Sequence, residues 1–222
     1  MIPYILAEND QGIYVIPKKD LKDRKTARML RNGTEHEPEI VKIIIENSGD
    51  GIVIHAGAYI GDMIPAISKG VERLMAFEPN KEAYNCAMAV KYLNDCDNTS
   101  IFNLAVSEKK SNGVLSIDQF RMLEYDSKIN LKDNEQLVCS LPLDHILKGV
   151  NCSVIHLDIE SYEIPALKGA IATIKRDRPV LIIEDLYDTL NQDEWFKVNI
   201  LGIGYREIKK IGPNRIYKCG DK

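Results

Sequence analysis

Short apolar runs that alternate with helical patterns between residues 52 and 184 are the feature that most limits the folds open to this chain. The strand candidates are Ile52 to Ala56, Leu74 to Phe77, Ser100 to Val106, Val138 to Pro142, Val154 to Asp158 and Val180 to Glu184. Helical patterns fall at 63–69, 81–93, 144–149, 162–175 and 192–200. Because runs that are apolar on both faces are typical of parallel strands covered by helices, we expect an α/β fold with helices on both faces of a mostly parallel sheet.

The two ends of the chain and one internal segment depart from this alternation. Near the C-terminus, residues 205–211 and 215–219 are separated by a Gly-Pro-Asn turn, which predicts an antiparallel hairpin. Residues 1–36 are expected to form an N-terminal cap on a main domain of residues 37–222. Residues 107–136 are polar and irregular, which predicts either a substrate lid or a disordered surface insertion.

Composition argues against several classes of protein. The chain of 222 residues fits one domain. Because its formal net charge of -4 is unfavourable for binding a phosphate backbone, we expect no nucleic-acid partner. Five cysteines without a C-x-x-C pair predict reduced thiols. With no leader-like N-terminus and no apolar run of about 20 residues, we expect a cytoplasmic protein without a membrane span.

A tight turn follows the first strand candidate and opens the next helix. Gly57 and Gly61 allow the backbone to take positive φ angles and to approach a neighbour closely. The spacing lacks both the G-x-G-x-x-G of dinucleotide binding and the glycine-rich phosphate loop. The turn therefore predicts either a ligand at this bend or plain packing of strand against helix.

Glu78 stands at the tip of the second strand candidate, about 20 residues after the bend. A carboxylate there can accept hydrogen bonds from both hydroxyl groups of a ribose, whereas the alternative is a solvated loop charge. The end of the third run, with Ala105 and Val106, would flank the base. Together these positions predict a nucleoside ligand.

Five sequence blocks in order resemble the FkbM-type methyltransferases over about residues 37 to 185. The blocks are His55-Ala56-Gly57-Ala58-Tyr59-Ile60-Gly61-Asp62, Phe77-Glu78-Pro79-Asn80, Ile155-His156-Leu157-Asp158-Ile159-Glu160-Ser161-Tyr162-Glu163, Leu167-Lys168-Gly169-Ala170 and Arg178-Pro179 with the strand that ends at Glu184. Leu143-Asp144 also fits. The resemblance implies a class I methyltransferase (Rossmann-like) fold with a seven-stranded sheet and S-adenosylmethionine as methyl donor. It also implies a hydroxyl acceptor on a sugar, glycan or related small molecule.

Four positions differ from the family's pattern. His55 replaces an acidic residue, Tyr59 an Asn, His156 a Lys and Ser161 a Gly. An acidic residue at position 55 would help to hold the donor's ammonium group. Either Asp62 helps to hold the donor instead, or this chain is a divergent member without transfer activity. The residues expected to bind the donor are His55, Gly57, Ala58, Tyr59, Gly61, Asp62, Glu78, Asn80, Ala105 and Val106.

Transfer to a hydroxyl group requires a base or a cation close to the acceptor. Asp158 lies at the tip of its strand, and His156 points to the same face because side chains alternate along a strand. We expect Asp158, His156 and Glu160 to be catalytic, although His156 could equally be a hydrogen-bonded core histidine. Glu163 fits the first turn of a helix, where the helix dipole favours its charge.

Magnesium is a second way to lower the pKa of an acceptor hydroxyl. Neighbouring strand tips are about 4.8 Å apart, so Asp158 with Glu184 or Asp185 could hold one magnesium ion. The alternative is that these carboxylates are simple strand ends.

Three functions are compatible with the sequence. An O-methyltransferase is the leading hypothesis, and a nucleoside-binding module that has lost transfer activity is the alternative. A dinucleotide oxidoreductase shares the sheet, but the missing glycine of the dinucleotide motif counts against it. The sequence does not indicate the acceptor's identity, a metal requirement or the oligomeric state.

Overall fold

Parallel strands covered by helices form the centre of the molecule. The computed structural model describes residues 3–116, 121–124 and 135–220. The strands are Tyr4–Asn9 (β1), Gly12–Pro17 (β2), Ile52–Ala56 (β3), Arg73–Phe77 (β4), Thr99–Phe102 (β5), Ala105–Val106 (β6), Ser111–Ser116 (β7), Arg121–Glu124 (β8), Glu135–Leu141 (β9), Cys152–Leu157 (β10), Val180–Glu184 (β11), Tyr205–Ile211 (β12) and Asn214–Cys219 (β13). The α-helices are Asp20–Asp23 (α1), Lys25–Arg31 (α2), Pro38–Asn47 (α3), Ile64–Ser68 (α4), Lys81–Leu93 (α5), Leu143–Ile146 (α6), Glu163–Lys168 (α7), Ile171–Asp177 (α8) and Glu194–Asn199 (α9).

The central sheet has seven strands in the order β12-β13-β11-β10-β3-β4-β5. The five strands from β11 to β5 run parallel, and β13 and β12 add to them as an antiparallel hairpin. The predicted mostly parallel seven-stranded sheet with a C-terminal hairpin is therefore confirmed.

Alternation along the buried strands divides the core between two helix layers. All five residues of β3 are buried: Ile52, Ile54 and Ala56 pack with α6 to α9, and Val53 packs with α3 to α5 on the other face. Such double coverage explains why the strands read as continuous apolar runs.

Two strand predictions place residues in the wrong sheet. The third run divides after Phe102, where the Asn103 side chain donates to the carbonyl oxygens of Glu78 and Pro79 and holds the chain in a turn. Beyond this turn, β6 pairs with β9 in a separate four-stranded sheet, ordered β6-β9-β7-β8. The run from Val138 to Pro142 corresponds to β9 and so does not join the central sheet.

The segment 107–136 contains strands where we expected irregular structure. Both β7 and β8 lie inside it, whereas residues 117–120 and 125–134 are outside the described part of the chain. Its role as a substrate lid stays a prediction.

The N-terminal residues pack over the glycine bend. Strands β1 and β2 form a hairpin that is tied to the end of α5, because the Asn94 side chain bonds both the N–H and the carbonyl of Ile13 at 2.7 Å. Tyr14 and Leu30 pack there with Ile60. None of the helices in the described ranges has the length and apolarity needed to cross a bilayer.

We expect Gly169→Ala to destabilise the fold. Gly169 follows α7, and a Cβ atom at this position would overlap the carbonyl oxygen of Ser107, at the end of β6. Overpacking of this kind costs about 1–3 kcal/mol in the free energy of unfolding. Urea denaturation measures the loss. Gly220→Ala is the control, since an added Cβ there stands 4.0 Å from its nearest neighbour and should change stability by less than about 0.5 kcal/mol.

Candidate active site

The bend after β3 brings two strand ends into contact. Gly57 and Gly61 have φ angles of 91° and 84°, and the N–H groups of Gly57 and Ala58 donate to the carbonyl oxygen of Phe77 at 2.9 and 3.0 Å. A Cβ atom on Gly57 would overlap the carbonyl oxygen of Asp158. Gly57 is therefore required by the contact between the bend and the end of β10, whether or not a ligand binds.

Glu78 is held in a fixed orientation beside this bend. Its two carboxylate oxygens accept hydrogen bonds from the backbone N–H groups of Tyr59 at 2.8 Å and Asn80 at 2.7 Å. The side chain is only 6% exposed, and burial raises the pKa of Glu78 to about 8 against the opposing effect of the two N–H donors. These two backbone contacts fix the orientation of the carboxylate and of its remaining lone pairs.

A cavity of about 330 Å³ opens at the carboxyl ends of β3, β4 and β10. Its lining residues are Ala56, Gly57, Phe77, Glu78, Pro79, Leu104, Ala105, Val106, Asp158, Ile159, Glu160, Ser161 and Tyr162. The structure thus brings Gly57, Glu78, Ala105 and Val106 together as predicted, with a carboxylate on one wall and apolar side chains on another. In parallel α/β sheets, ligands bind at this end of the strands.

A second cavity of about 210 Å³ adjoins the first and shares four residues with it. Its lining residues are Arg24, Thr26, His36, Glu37, Gly57, Tyr59, Asp62, Met63, Glu78, Asp158, Glu160 and Glu184. Six of these side chains are carboxylic acids. The second cavity is therefore suited to polar groups that donate hydrogen bonds or carry positive charge.

Asp158 and Glu184 lie together where the two cavities meet the sheet. Burial is the main reason that the pKa of Asp158 is raised well above its usual value, and the charge and hydrogen bond of Glu184 raise it further. The pKa of Glu184 is also raised, mainly by burial. Two close carboxyl groups cannot both ionise readily, so the pair keeps one of its protons to a higher pH than an isolated carboxyl group would.

The two histidines of the predicted site form a buried pair beneath the cavities. Their Nδ1 atoms are 2.9 Å apart and the rings stack at a centroid distance of 4.9 Å, with one ring donating to the other. Burial lowers the pKa of His55 to about 4 and that of His156 well below its usual value, so both are neutral. Neither ring lines the two cavities. This position agrees with the alternative that His156 is a hydrogen-bonded core histidine.

Four further predicted donor residues make contacts within the protein. The Tyr59 hydroxyl donates to Asp20 at 2.5 Å, and the Asn80 side chain caps α5 by accepting from the N–H groups of Glu82 and Ala83. Ala58 is fully buried, and Gly61 packs against α5. Tyr59 lines the second cavity, whereas Ala58, Gly61 and Asn80 support the bend and the helix behind it.

Asp62 faces the second cavity as part of an ion pair. One of its oxygens lies 2.6 Å from His36 Nδ1. Burial lowers the pKa of His36, but the hydrogen bond and charge of Asp62 outweigh burial and raise it. Any ligand group that contacts Asp62 on the cavity wall would therefore meet a carboxylate that is already paired with His36.

Asp185 is unsuited to magnesium because both its oxygens are already used. They accept from the N–H groups of Thr189 and Leu190, and Arg215 donates to one of them at 2.8 Å. These contacts count against Asp185 as a magnesium ligand, and the proposed magnesium site at Asp158 with Glu184 or Asp185 stays a prediction. Within residues 3–116, 121–124 and 135–220, no group of three or more His, Cys, Asp or Glu side chains is arranged to hold a metal ion.

The loop from Asp158 to Glu163 is held by its own last residue. Glu163 begins α7, and its carboxylate accepts from the N–H groups of Ile159 and Ser161 at 3.3 and 3.1 Å. Glu160 and Ser161 have positive φ angles of 56° and 72°. The contacts of Glu163 agree with a structural role, whereas Glu160 lines both cavities.

Sequence reasoning missed the contributions of individual N-terminal residues. Arg24, Thr26 and His36 of the predicted cap line the second cavity together with Glu37, the first residue of the predicted main domain, and the sequence assigned none of them a role. These residues match no motif, and their place follows from the tertiary contacts of the N-terminal hairpin and helices. No signal in the sequence could have assigned them.

Comparison with known proteins agrees with the fold. The order of the central strands and the cavity at their carboxyl ends define a class I methyltransferase fold. A model of the methyltransferase FkbM domain matches residues 55–203, so the chain belongs to that family. No curated protein matches the sequence with significance.

Solved methyltransferases share the fold at low sequence identity. The methyltransferase FkbM of Methylobacillus flagellatus KT has a TM-score of 0.53 at 20% identity, over 76% of this chain and 43% of that one. This chain thus spans less than half the length of that relative. TYW2 of M. jannaschii in complex with AdoMet has a TM-score of 0.53 at 14% identity, over 98% and 87%. The tRNA (uracil-54, C5)-methyltransferase of Pyrococcus abyssi, in complex with S-adenosyl-L-homocysteine, has a TM-score of 0.51 at 11% identity, over 97% and 44%.

We expect Ser161→Gly to stabilise the protein by about 1 kcal/mol, because a residue with a Cβ is strained at the positive φ of this loop and Gly is not. Thermal and urea unfolding measure the gain. Ser161→Ala keeps the Cβ and should change stability by less than about 0.5 kcal/mol. A larger gain from the Ala variant than from the Gly variant would contradict this explanation.

Proposed function

We propose that this protein transfers the methyl group of S-adenosylmethionine to a hydroxyl oxygen of a sugar, glycan or related small molecule. The observation that carries the proposal is the oriented Glu78 carboxylate in a cavity that continues to Asp158. A cytoplasmic location and an acceptor other than nucleic acid belong to the same proposal. The net charge of -4 supports the second of these.

The first cavity suits the nucleoside half of the donor. Its ribose hydroxyls would donate to Glu78, and the apolar wall at Leu104, Ala105 and Val106 would contact the adenine. Structural relatives described as complexes with AdoMet or S-adenosyl-L-homocysteine support this choice of ligand.

The acidic second cavity suits the charged end of the donor. With His55 buried against His156, the family's acidic residue at position 55 has no equivalent there. Glu37, Asp62 and Glu160 line the second cavity, where they would attract the donor's ammonium group and its positively charged sulfur. Asp62 would then take part in donor binding together with its partner His36.

Asp158 is the residue we propose as the base. When bound, S-adenosylmethionine supplies an activated methyl group with a good leaving group. In the form of the pair in which Asp158 is ionised, the chain's own part is to align the acceptor hydroxyl and to take its proton on the Asp158 carboxylate, next to Glu184. Magnesium held by Asp158 and Glu184 is the alternative way to promote loss of the same proton.

Donor affinity is expected to depend on pH through Glu78. Because the pKa of Glu78 is raised to about 8, its carboxyl group is mostly protonated below that pH, and ribose binding to the ionised form must release a proton. Affinity for S-adenosylhomocysteine should therefore rise by up to tenfold per pH unit towards pH 8 and then level off. Calorimetry at pH 6.5, 7.5 and 8.5 measures this dependence.

Glu78→Gln should weaken binding of S-adenosylhomocysteine by about tenfold or more at pH 8.5 and remove the pH dependence, because an amide offers one acceptor oxygen instead of two. Glu82→Gln, on α5 and outside the cavity lining, is the control and should bind as the native protein does. Unchanged affinity in Glu78→Gln would reject the proposed donor site.

Asp158→Asn should reduce methyl transfer by about 10²–10⁴-fold, the usual contribution of a positioned base. Donor affinity should change little, since the variant keeps the size of the side chain. Transfer from labelled S-adenosylmethionine to a panel of methyl glycosides, with and without magnesium, measures the effect. Asp95→Asn, in the exposed turn after α5, serves as the control.

The nucleoside-binding module without transfer activity makes a different prediction in the same assay. It requires S-adenosylhomocysteine to bind while no acceptor of the panel is methylated and Asp158→Asn has no effect. The burial of His55, away from the cavities, is the observation that favours this second candidate.

A further inference from the structure

A third cavity, of about 330 Å³, extends the proposed active site on the side of β11. It shares Ser161 with the first cavity and Glu184 with the second. Its other lining residues are Glu163, Ile164, Asp185, Leu186, Tyr187, Thr189, Leu190, Gln192 and Asp193. The third cavity therefore adjoins the other two at Ser161 and Glu184.

Two large apolar side chains on the wall of the third cavity are exposed to solvent. Tyr187 is 74% exposed and Leu186 is 50% exposed, and both lie within three residues of the end of β11. Exposed apolar side chains beside a cavity are typical of surfaces that bind a ligand. A tyrosine in such a place offers a flat apolar face and a polar tip.

The loop that carries Tyr187 is firmly anchored. On one side of it Asp185 is tied to Arg215 and to two backbone N–H groups, as described above. On the other side Asp188 accepts hydrogen bonds from Arg215 and from Lys210, the latter at 2.5 Å, and it adopts a positive φ of 54°. Tyr187 is therefore presented by a preorganised loop and needs little further ordering to bind.

The charges of the third cavity select against anionic ligands. Four of its lining residues are carboxylic acids, Glu163, Glu184, Asp185 and Asp193, of which Asp185 is paired with Arg215 behind the wall, and none of the lining residues is a Lys or Arg. Ser161, Thr189 and Gln192 add neutral hydrogen-bonding groups. A phosphate group would be repelled here, whereas hydroxyl groups could donate to the carboxylates.

We propose that Tyr187 determines acceptor specificity by stacking on the ring of an uncharged carbohydrate, one of whose hydroxyls then reaches Asp158. The inference rests on the proposed function and narrows its acceptor to sugars without phosphate. A ring stacked on an aromatic face gains apolar contact, and its hydroxyls remain free to bond the carboxylates around it. The same cavity disfavours a polynucleotide, whose bases would stack but whose phosphates would meet the acids.

Ligand binding to the protein loaded with S-adenosylhomocysteine tests the proposal without requiring turnover. The probes are uncharged methyl glycosides, the corresponding sugar phosphates and a short single-stranded RNA, each observed by saturation-transfer NMR and titration. At least one methyl glycoside should bind, and its phosphate should bind at least tenfold more weakly. Tyr187→Ala should weaken the glycoside at least tenfold, whereas Tyr187→Phe should keep the affinity within about threefold, since the stacking face remains.

Tyr92→Ala is the matched control, because Tyr92 is 69% exposed on α5 and lines none of the three cavities. Affinity for S-adenosylhomocysteine, measured in every variant, separates this inference from the proposed function. Binding of S-adenosylhomocysteine with no glycoside binding, or with Tyr187→Ala equal to Tyr92→Ala, would overturn the role of Tyr187 alone. Preference for the phosphates or the RNA would overturn it as well. A failure to bind S-adenosylhomocysteine would instead reject the donor site.

Discussion

The close contact between the glycine bend and the end of β10 is the constraint on which the rest of the site depends. Only a residue without a Cβ allows the backbone at Gly57 to lie against the carbonyl oxygen of Asp158. This contact sets the spacing between Glu78, which the bend orients through the Tyr59 N–H, and the carboxylate of Asp158. The proposed donor site and the proposed base are therefore positioned by the same backbone contact.

The central fold was predictable because it follows from local patterns. Buried strands such as β3 and β11 read directly as apolar runs, and the helical pattern at 81–93 matches α5. The departure of β6 and β9 into a second sheet was not predictable, since an apolar run such as Ala105-Val106 or Leu137-Val138 does not specify which strand it pairs with. It depends on the turn that Asn103 makes through hydrogen bonds to residues distant in sequence.

The candidate site was predictable only in part, for a related reason. Motifs located Gly57, Glu78 and Asp158, because backbone geometry ties these residues to fixed strand ends. The pairing of His156 with His55, and of Asp185 with Arg215, depends on side chains from strands that are adjacent only in the folded sheet. A side chain's direction from a strand can be inferred from alternation, but its partner cannot.

Strand β6 lines the first cavity and is also an edge strand of the four-stranded sheet. Ala105 and Val106 line the cavity, while their backbones pair with β9. A shift of β7, β8 or β9 would therefore alter the width of the first cavity at this wall. A molecule that displaced the four-stranded sheet would change the wall proposed for the adenine without touching the glycine bend.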